Sequence, residues 1–193
     1  MTTTTNTPTQ GFKPLGELYL RALIDDAYHE SAAGTIRDAI TTAAGCGGAP
    51  DGPDLMRAAC QLTRSAMGYL EAGMGQISRD ELEEWVDWAR IDAFWDSCTN
   101  KAEHPDGGYV ADGTEAEVEA AQAEAIWVHE QLDNQSERVS LLYRDYANPE
   151  GSQNHGGIHW EWIHQIEQAA TFLQAAALLL ADAFGIEGDS ADG

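Results

Sequence analysis

The stretch from 158 to 184 reads IHWEWIHQIEQAATFLQAAALLLADAF and decides the fold. Apolar side chains recur along it at steps of three and four, which is the spacing of one face of an α-helix. A second apolar stripe runs along the opposite side. The two stripes are His159, Trp162, Ile166, Ala170, Leu173, Ala177, Leu180, Phe184 and Phe172, Ala175, Leu178, Leu179. A helix that is apolar on both sides must be covered on both sides, so we predict the central helix of a bundle.

The remainder of the chain also has helical rather than alternating spacing of its apolar residues. Three stretches rich in Gly, Pro or Asn, at 45–53, 103–113 and 148–157, indicate loops between helices. No run has the alternation that is typical of a strand. We therefore predict an all-α fold, a compact bundle of six or seven helices around 158–184.

Several helix starts are marked by capping residues. Asp54 is a suitable N-cap for the pattern that follows it. Ser78 with Glu81, and Thr114 with Glu117, have the three-residue spacing of a capping box. These signals predict helices over 79–98 and 115–134, with a separate helical segment over 136–146.

The length of 193 residues suits one domain. We expect a disordered N-terminal arm at 1–13, a single helical domain at 14–186 and an acidic tail at 187–193. The three cysteines are odd in number and widely spaced, which is typical of reduced thiols in a cytoplasm. No apolar leader or membrane span is expected from the sequence.

The formal net charge of −23 limits the class of partner. Direct binding to nucleic acid or to an anionic membrane is not expected, because phosphate contacts need clustered cations. Basic protein surfaces and metal ions are compatible with this charge. Solubility, or adaptation to high salt, would explain it without any partner.

Acidic residues concentrate on two predicted helices, 79–98 and 115–133, interleaved with aromatic residues on the first of them. One interpretation is that these are solvated outer faces with tryptophans in the core. The other is that rows of carboxylates imitate a phosphate backbone and occupy a basic groove, with aromatic anchors. The predicted partner-binding residues are Asp80, Glu81, Glu83, Glu84, Asp87, Trp88, Asp92, Trp95, Glu115, Glu117, Glu119 and Glu124.

In its acidity and predicted helicity the chain resembles antirestriction and anti-CRISPR inhibitors of phages and plasmids. That resemblance implies an inhibitor that occupies the nucleic-acid-binding surface of another protein. No family motif accompanies it. A phage or plasmid accessory or structural protein is an alternative of the same composition.

A metal site is the second hypothesis. Glu161 and His164 have the i,i+3 spacing used by ferritin-like di-iron bundles, and lie about 60° apart on a helix. Asp26 and His29 form the nearest analogue elsewhere, with Asp in place of Glu. The family pattern needs a second E-x-x-H, which the chain lacks.

No motif supports a named reaction, so we lean against an enzyme and expect no cofactor. The function expected from the sequence is that of an acidic helical modulator that binds a basic surface of another protein. In the most specific version of this hypothesis, the partner is a nucleic-acid-binding protein. The sequence is also compatible with a homodimer.

Overall fold

The structure is a computed structural model that describes residues 22–24, 32–45, 52–73, 86–102, 114–147 and 160–186. Within these ranges it contains a short helical segment at 22–24, five longer helices and no strand. The helices are α1 (Ala33–Ala44), α2 (Gly52–Gly73), α3 (Trp88–Ala102), α4 (Glu115–Ala147) and α5 (Trp160–Phe184). The predicted all-α bundle is confirmed. The predicted arm at 1–13 and tail at 187–193 lie outside the described residues.

Helix α5 is the centre of the bundle, as its two apolar stripes predicted. It packs most extensively against α2 and α4, and α1 covers part of it as well. Phe172 and Leu173 lie on different sides of α5, and both are fully buried. Between them, Ala169 and Ala176 present small side chains that allow neighbouring helices to approach closely.

Helices α2 and α5 run antiparallel. At the start of α2, a Cβ placed on Gly52 would lie 3.9 Å from the carbonyl oxygen of Ala183. About five turns further along α2, and about three turns earlier in α5, the rings of Tyr69 and Phe172 meet edge to face, with their centroids 5.7 Å apart. The start of α4 lies at the same end of the bundle, because Gln122 Nε2 donates to the carbonyl oxygen of Phe184 at 3.2 Å.

The end of α5 is closed by a glycine cap. Gly185 has a φ of 62°, a left-handed conformation that glycine adopts without the steric penalty of a Cβ. The amide of Ile186 then donates to the carbonyl of Ala181 at 3.0 Å, the bond that defines a Schellman motif. Ile186 packs against the core, as the residue after such a cap commonly does.

The start of α3 differs from its prediction. Within the expected helix over 79–98, Val86 and Asp87 are not helical, and α3 begins at Trp88. Asp87 Oδ1 accepts a hydrogen bond from the backbone amide of Arg90 at 3.0 Å, which makes Asp87 the N-cap. The capping box predicted at Ser78 and Glu81 lies outside the described residues.

The start of α4 agrees with its prediction, but its length does not. The Thr114 amide donates to Glu117 Oε2 at 2.8 Å, and the Glu117 amide donates to Thr114 Oγ1 at 3.4 Å, which completes the capping box. The two segments predicted at 115–134 and 136–146 form one helix. The helix continues because Gln135 and Ser136 are buried against the bundle, although both are polar.

The prediction that Asp54 is an N-cap is wrong. Helix α2 begins at Gly52, and Asp54 lies in its first turn. Its buried carboxylate accepts from the guanidinium of Arg57, one turn further along α2. An acidic side chain in a first turn is also favoured by the helix dipole.

Candidate functional site

Helix α4 carries five exposed carboxylates on one side. At about 100° and 1.5 Å per residue, they fall within about 60° of one another and extend over roughly 33 Å of helix. The buried residues of α4 lie on the opposite side, against the bundle. We call this surface the acidic face of α4, and its carboxylates are Glu115, Glu119, Glu130, Asp133 and Glu137.

Two large apolar side chains accompany these carboxylates. Ile126 is 38% exposed and lies in the middle of the acidic face, and Leu141 is 45% exposed just beyond its C-terminal end. Arg138 is the one Arg or Lys between 115 and 141, and it lies roughly 110° around the helix from the middle of the face. The face therefore combines charge of one sign with apolar surface.

Glu130 and Asp133 were recognised only as acids of the predicted helix and not as site residues, and Glu137, Ile126 and Leu141 were not predicted at all. The signal was present, because their angular positions follow from their numbers once α4 is treated as one helix. Dividing the pattern after Asn134 separated Glu137 from Asp133, although the two are one turn apart on the same side of α4.

The first turns of α4 are exposed on all sides. Every residue from 114 to 120 is exposed, whereas burial begins with the turn that contains Gln122 and Ala125. Glu115, Glu117 and Glu119 are therefore accessible, as their predicted role in binding requires. Glu117 also closes the capping box, so it has a structural role in addition.

Glu124, another predicted binding residue, is engaged within the chain. Its two carboxylate oxygens accept from Nε and Nη2 of Arg90, both at 2.7 Å. The same guanidinium lies 3.7 Å from the centroid of the Trp127 ring, in cation–π geometry. Arg90 therefore connects α3 to α4, and the hydrogen bonds that it donates lower the pKa of Glu124, against the opposing effect of partial burial.

We expect Glu124→Gln to remove a pH-dependent part of the stability. The folded pKa of Glu124 lies below its ordinary value of 4.5, so the ion pair stabilises the fold above that pH and is lost as pH falls through the lowered pKa. Thermal unfolding of both chains across the acidic range measures it. The difference between them should be small, as for an exposed ion pair, constant near neutral pH, and should vanish in acid. A difference that persists in acid would contradict this. Glu130→Gln is the control of opposite sign, because it removes a carboxylate three residues from Asp133 and should raise the stability slightly near neutral pH.

Helix α3 contributes exposed carboxylates and buried tryptophans. Asp87 and Asp92 are exposed, and their role in binding stays a prediction. Trp88 is 9% exposed, and Trp95 is fully buried. Trp95 instead contacts Phe94 edge to face, with ring centroids 5.0 Å apart. The prediction that Trp95 anchors a partner is therefore corrected, since the apolar side of α3 faces the core.

Four predicted carboxylates precede α3 and lie outside the described residues. These are Asp80, Glu81, Glu83 and Glu84. Their role in binding stays a prediction. Asp87 lies close to Arg90, on the side of α3 that faces α4. Asp92 lies about 160° around α3 from Arg90, on the side that faces α2.

The hypothesis of a metal site remains a prediction. Asp26 and His29 lie outside the described residues, and Glu161 lies in the first turn of α5, where its side chain is not described. His164 is exposed, with Nδ1 at 3.5 Å from Glu167 Oε2. Over the ranges that the structure describes, no three His, Cys, Asp or Glu side chains form a group able to hold a metal ion.

Comparisons with protein-family models, with curated proteins and with solved structures find no match to this chain. None of the helices within the described ranges is both long and apolar enough to cross a membrane.

Proposed function

We propose that this protein binds a basic surface of another protein through the acidic face of α4, and thereby modulates that partner. Asp92 and Asp96 of α3, with Glu71 of α2, form a second acidic surface. In its most specific form, the partner is a nucleic-acid-binding protein whose binding surface becomes occupied. The observation that supports the proposal is the line of five exposed carboxylates, without an Arg or Lys among them, around the exposed Ile126.

Electrostatic repulsion within the face favours this interpretation over solubility alone. Glu115 and Glu119 are four residues apart, and Asp133 lies three and four residues from its two acidic neighbours. Like charges at these spacings destabilise a helix by about 0.2–0.5 kcal/mol per pair. Solubility would be served equally by carboxylates interspersed with lysines, whereas a basic partner turns the repulsion into attraction.

The density of charge decides how closely the face can imitate a nucleic acid. Five carboxylates over roughly 33 Å correspond to about one charge per 7 Å, whereas a DNA strand carries one per about 3.4 Å. The acidic face alone is therefore sparser than one strand. A nucleic-acid-mimicking surface would need further carboxylates beside these five, so the charge density fits a general basic partner better.

Immobilised protein, incubated with an extract of its native cells, should retain a basic protein at about 0.1 M salt and release it at about 1 M, where the Debye length falls from about 10 Å to about 3 Å. In the double variant Glu130→Gln, Asp133→Asn, the affinity for that protein should fall by about two- to thirtyfold, from two exposed charge contacts.

The matched control is the double variant Asp38→Asn, Glu167→Gln, which removes the same two charges from α1 and α5. Its affinity should stay within about twofold, because general attraction between net charges is screened beyond a Debye length. If no basic protein is retained at low salt, or if both double variants weaken binding equally, the acidic face is not a binding site.

A further inference from the structure

A groove lies between α2 and α3. Its volume is about 280 Å³, and it is lined by Thr63, Arg64, Met67, Glu71, Trp88, Asp92 and Asp96. Pockets for whole small molecules span about 300–1,000 Å³. The groove is just below that range, which suits one side chain of a larger partner better than a complete small-molecule ligand.

The lining combines apolar surface with an excess of carboxylates. Met67 and Trp88 form its apolar part, while Glu71 and Asp92 are exposed and make no ion pair among the described residues. The third carboxylate, Asp96, accepts from Arg64 Nη2 at 3.2 Å. Three carboxylates against one guanidinium leave the groove with an uncompensated negative charge.

Elsewhere in this chain, a carboxylate and an indole together bind a guanidinium. On α4, Glu124 and Trp127 lie about one turn apart, and together they bind the guanidinium of Arg90 by two hydrogen bonds and a ring contact. On α3, Trp88 and Asp92 are likewise about one turn apart, and both line the groove. An indole and a carboxylate at this spacing are complementary to a planar cation.

We propose that this groove accepts an arginine side chain of a basic protein partner. The guanidinium pairs with Glu71 and Asp92, and the side chain packs against Met67 and Trp88. Arginine fits better than lysine, because its planar and weakly hydrated head can stack on an aromatic ring and bind a carboxylate with two donors. The inference rests on the proposed function and adds to it the chemistry of one contact.

Removing the charge of Arg64 tests the proposal most directly. Its guanidinium lines the groove beside Asp96, and its positive charge repels an incoming cation. Arg64→Gln should therefore strengthen binding, whereas Glu71→Gln and Asp92→Asn should weaken it. Substitutions of opposite charge in one groove then have opposite effects, which a general loss of stability cannot reproduce.

The probe is a nine-residue peptide of alternating arginine and glycine, with its lysine analogue for comparison, titrated calorimetrically into the full chain at low salt. The arginine peptide should bind more tightly than the lysine peptide. Glu71→Gln and Asp92→Asn should each weaken it by about two- to fivefold, the range for one exposed ion pair, and Arg64→Gln should strengthen it by a similar factor. Asp38→Asn is the control without effect.

Equal affinity for both peptides, or unchanged affinity in all three groove variants, would overturn the proposal. Magnesium binding or self-association that depends on Glu71 and Asp92, in place of peptide binding, would assign the groove to another occupant and also overturn it. If the groove variants have no effect while Glu130→Gln, Asp133→Asn weakens the native basic partner, only the groove proposal fails. If neither the peptide nor any basic protein binds at low salt, both proposals fail.

Discussion

Replacing Phe172 with Ala is expected to lower the free energy of unfolding by about 3–5 kcal/mol, the range for removing a buried aromatic ring. Phe172 is fully buried on α5, the helix that contacts α1, α2 and α4. The substitution leaves a cavity beside Tyr69, whose ring now packs edge to face on it. Because natural domains are stable by about 5–15 kcal/mol, this single change would remove a large part of the total.

Urea unfolding followed by circular dichroism measures the effect. Gln174→Ala is the control on the same helix, because Gln174 is exposed, and it should change stability by no more than about 0.5 kcal/mol. Phe172→Leu should cost less than Phe172→Ala, since more of the volume stays filled. A loss below about 1 kcal/mol for Phe172→Ala would show that α5 is not packed on both sides as described.

Trp95→Ala should also lower the free energy of unfolding by about 3–5 kcal/mol. Trp95 has no exposed surface, and it lies against Phe94, which in turn contacts Phe184 at the end of α5, with ring centroids 6.2 Å apart. The side chain therefore stabilises the position of α3 against the bundle. It cannot contact a partner while the protein is folded.

Measurements of binding affinity distinguish a role of Trp95 in stability from a role as a surface anchor. At a temperature where Trp95→Ala remains folded, its affinity for a basic partner should equal that of the unsubstituted chain, and Trp95→Phe should recover part of the lost stability. A Trp95→Ala variant of normal stability with impaired binding would show that Trp95 contacts the partner. Unfolding curves and low-salt binding on the same preparation provide both measurements.

The central helix was predictable because its apolar residues follow the helical period over more than six turns. The same helical period marks the buried side of α3, although the acidic residues around it favoured an interface. Trp88, Ile91, Phe94 and Trp95 have the spacing of three and four that marks a buried stripe, and all four are buried. For Trp95, a stripe at helical spacing indicates core more strongly than the neighbouring carboxylates indicate an anchor, whereas Trp88 also borders the groove between α2 and α3.

Other features depend on contacts that no local pattern contains. Arg90 and Glu124 are 34 residues apart, and their pairing arises only because α3 packs beside α4. The continuity of α4 through Gln135 and Ser136 likewise depends on burial by the bundle, which local polarity argues against. The alignment of the first four carboxylates of the acidic face follows from helical geometry alone, but the extension of the acidic face to Glu137 required the tertiary structure.

The exposed start of α4 has a steric consequence. A single helix with its side chains is about 10–12 Å across, much narrower than a bundle of several helices. Residues 114–120 can therefore enter a cleft that excludes the remainder of the protein, and would carry Glu115, Glu117 and Glu119 into it. Two surfaces of different shape result: a narrow charged tip that fits a concave partner, and a long flank that lies along a flat one.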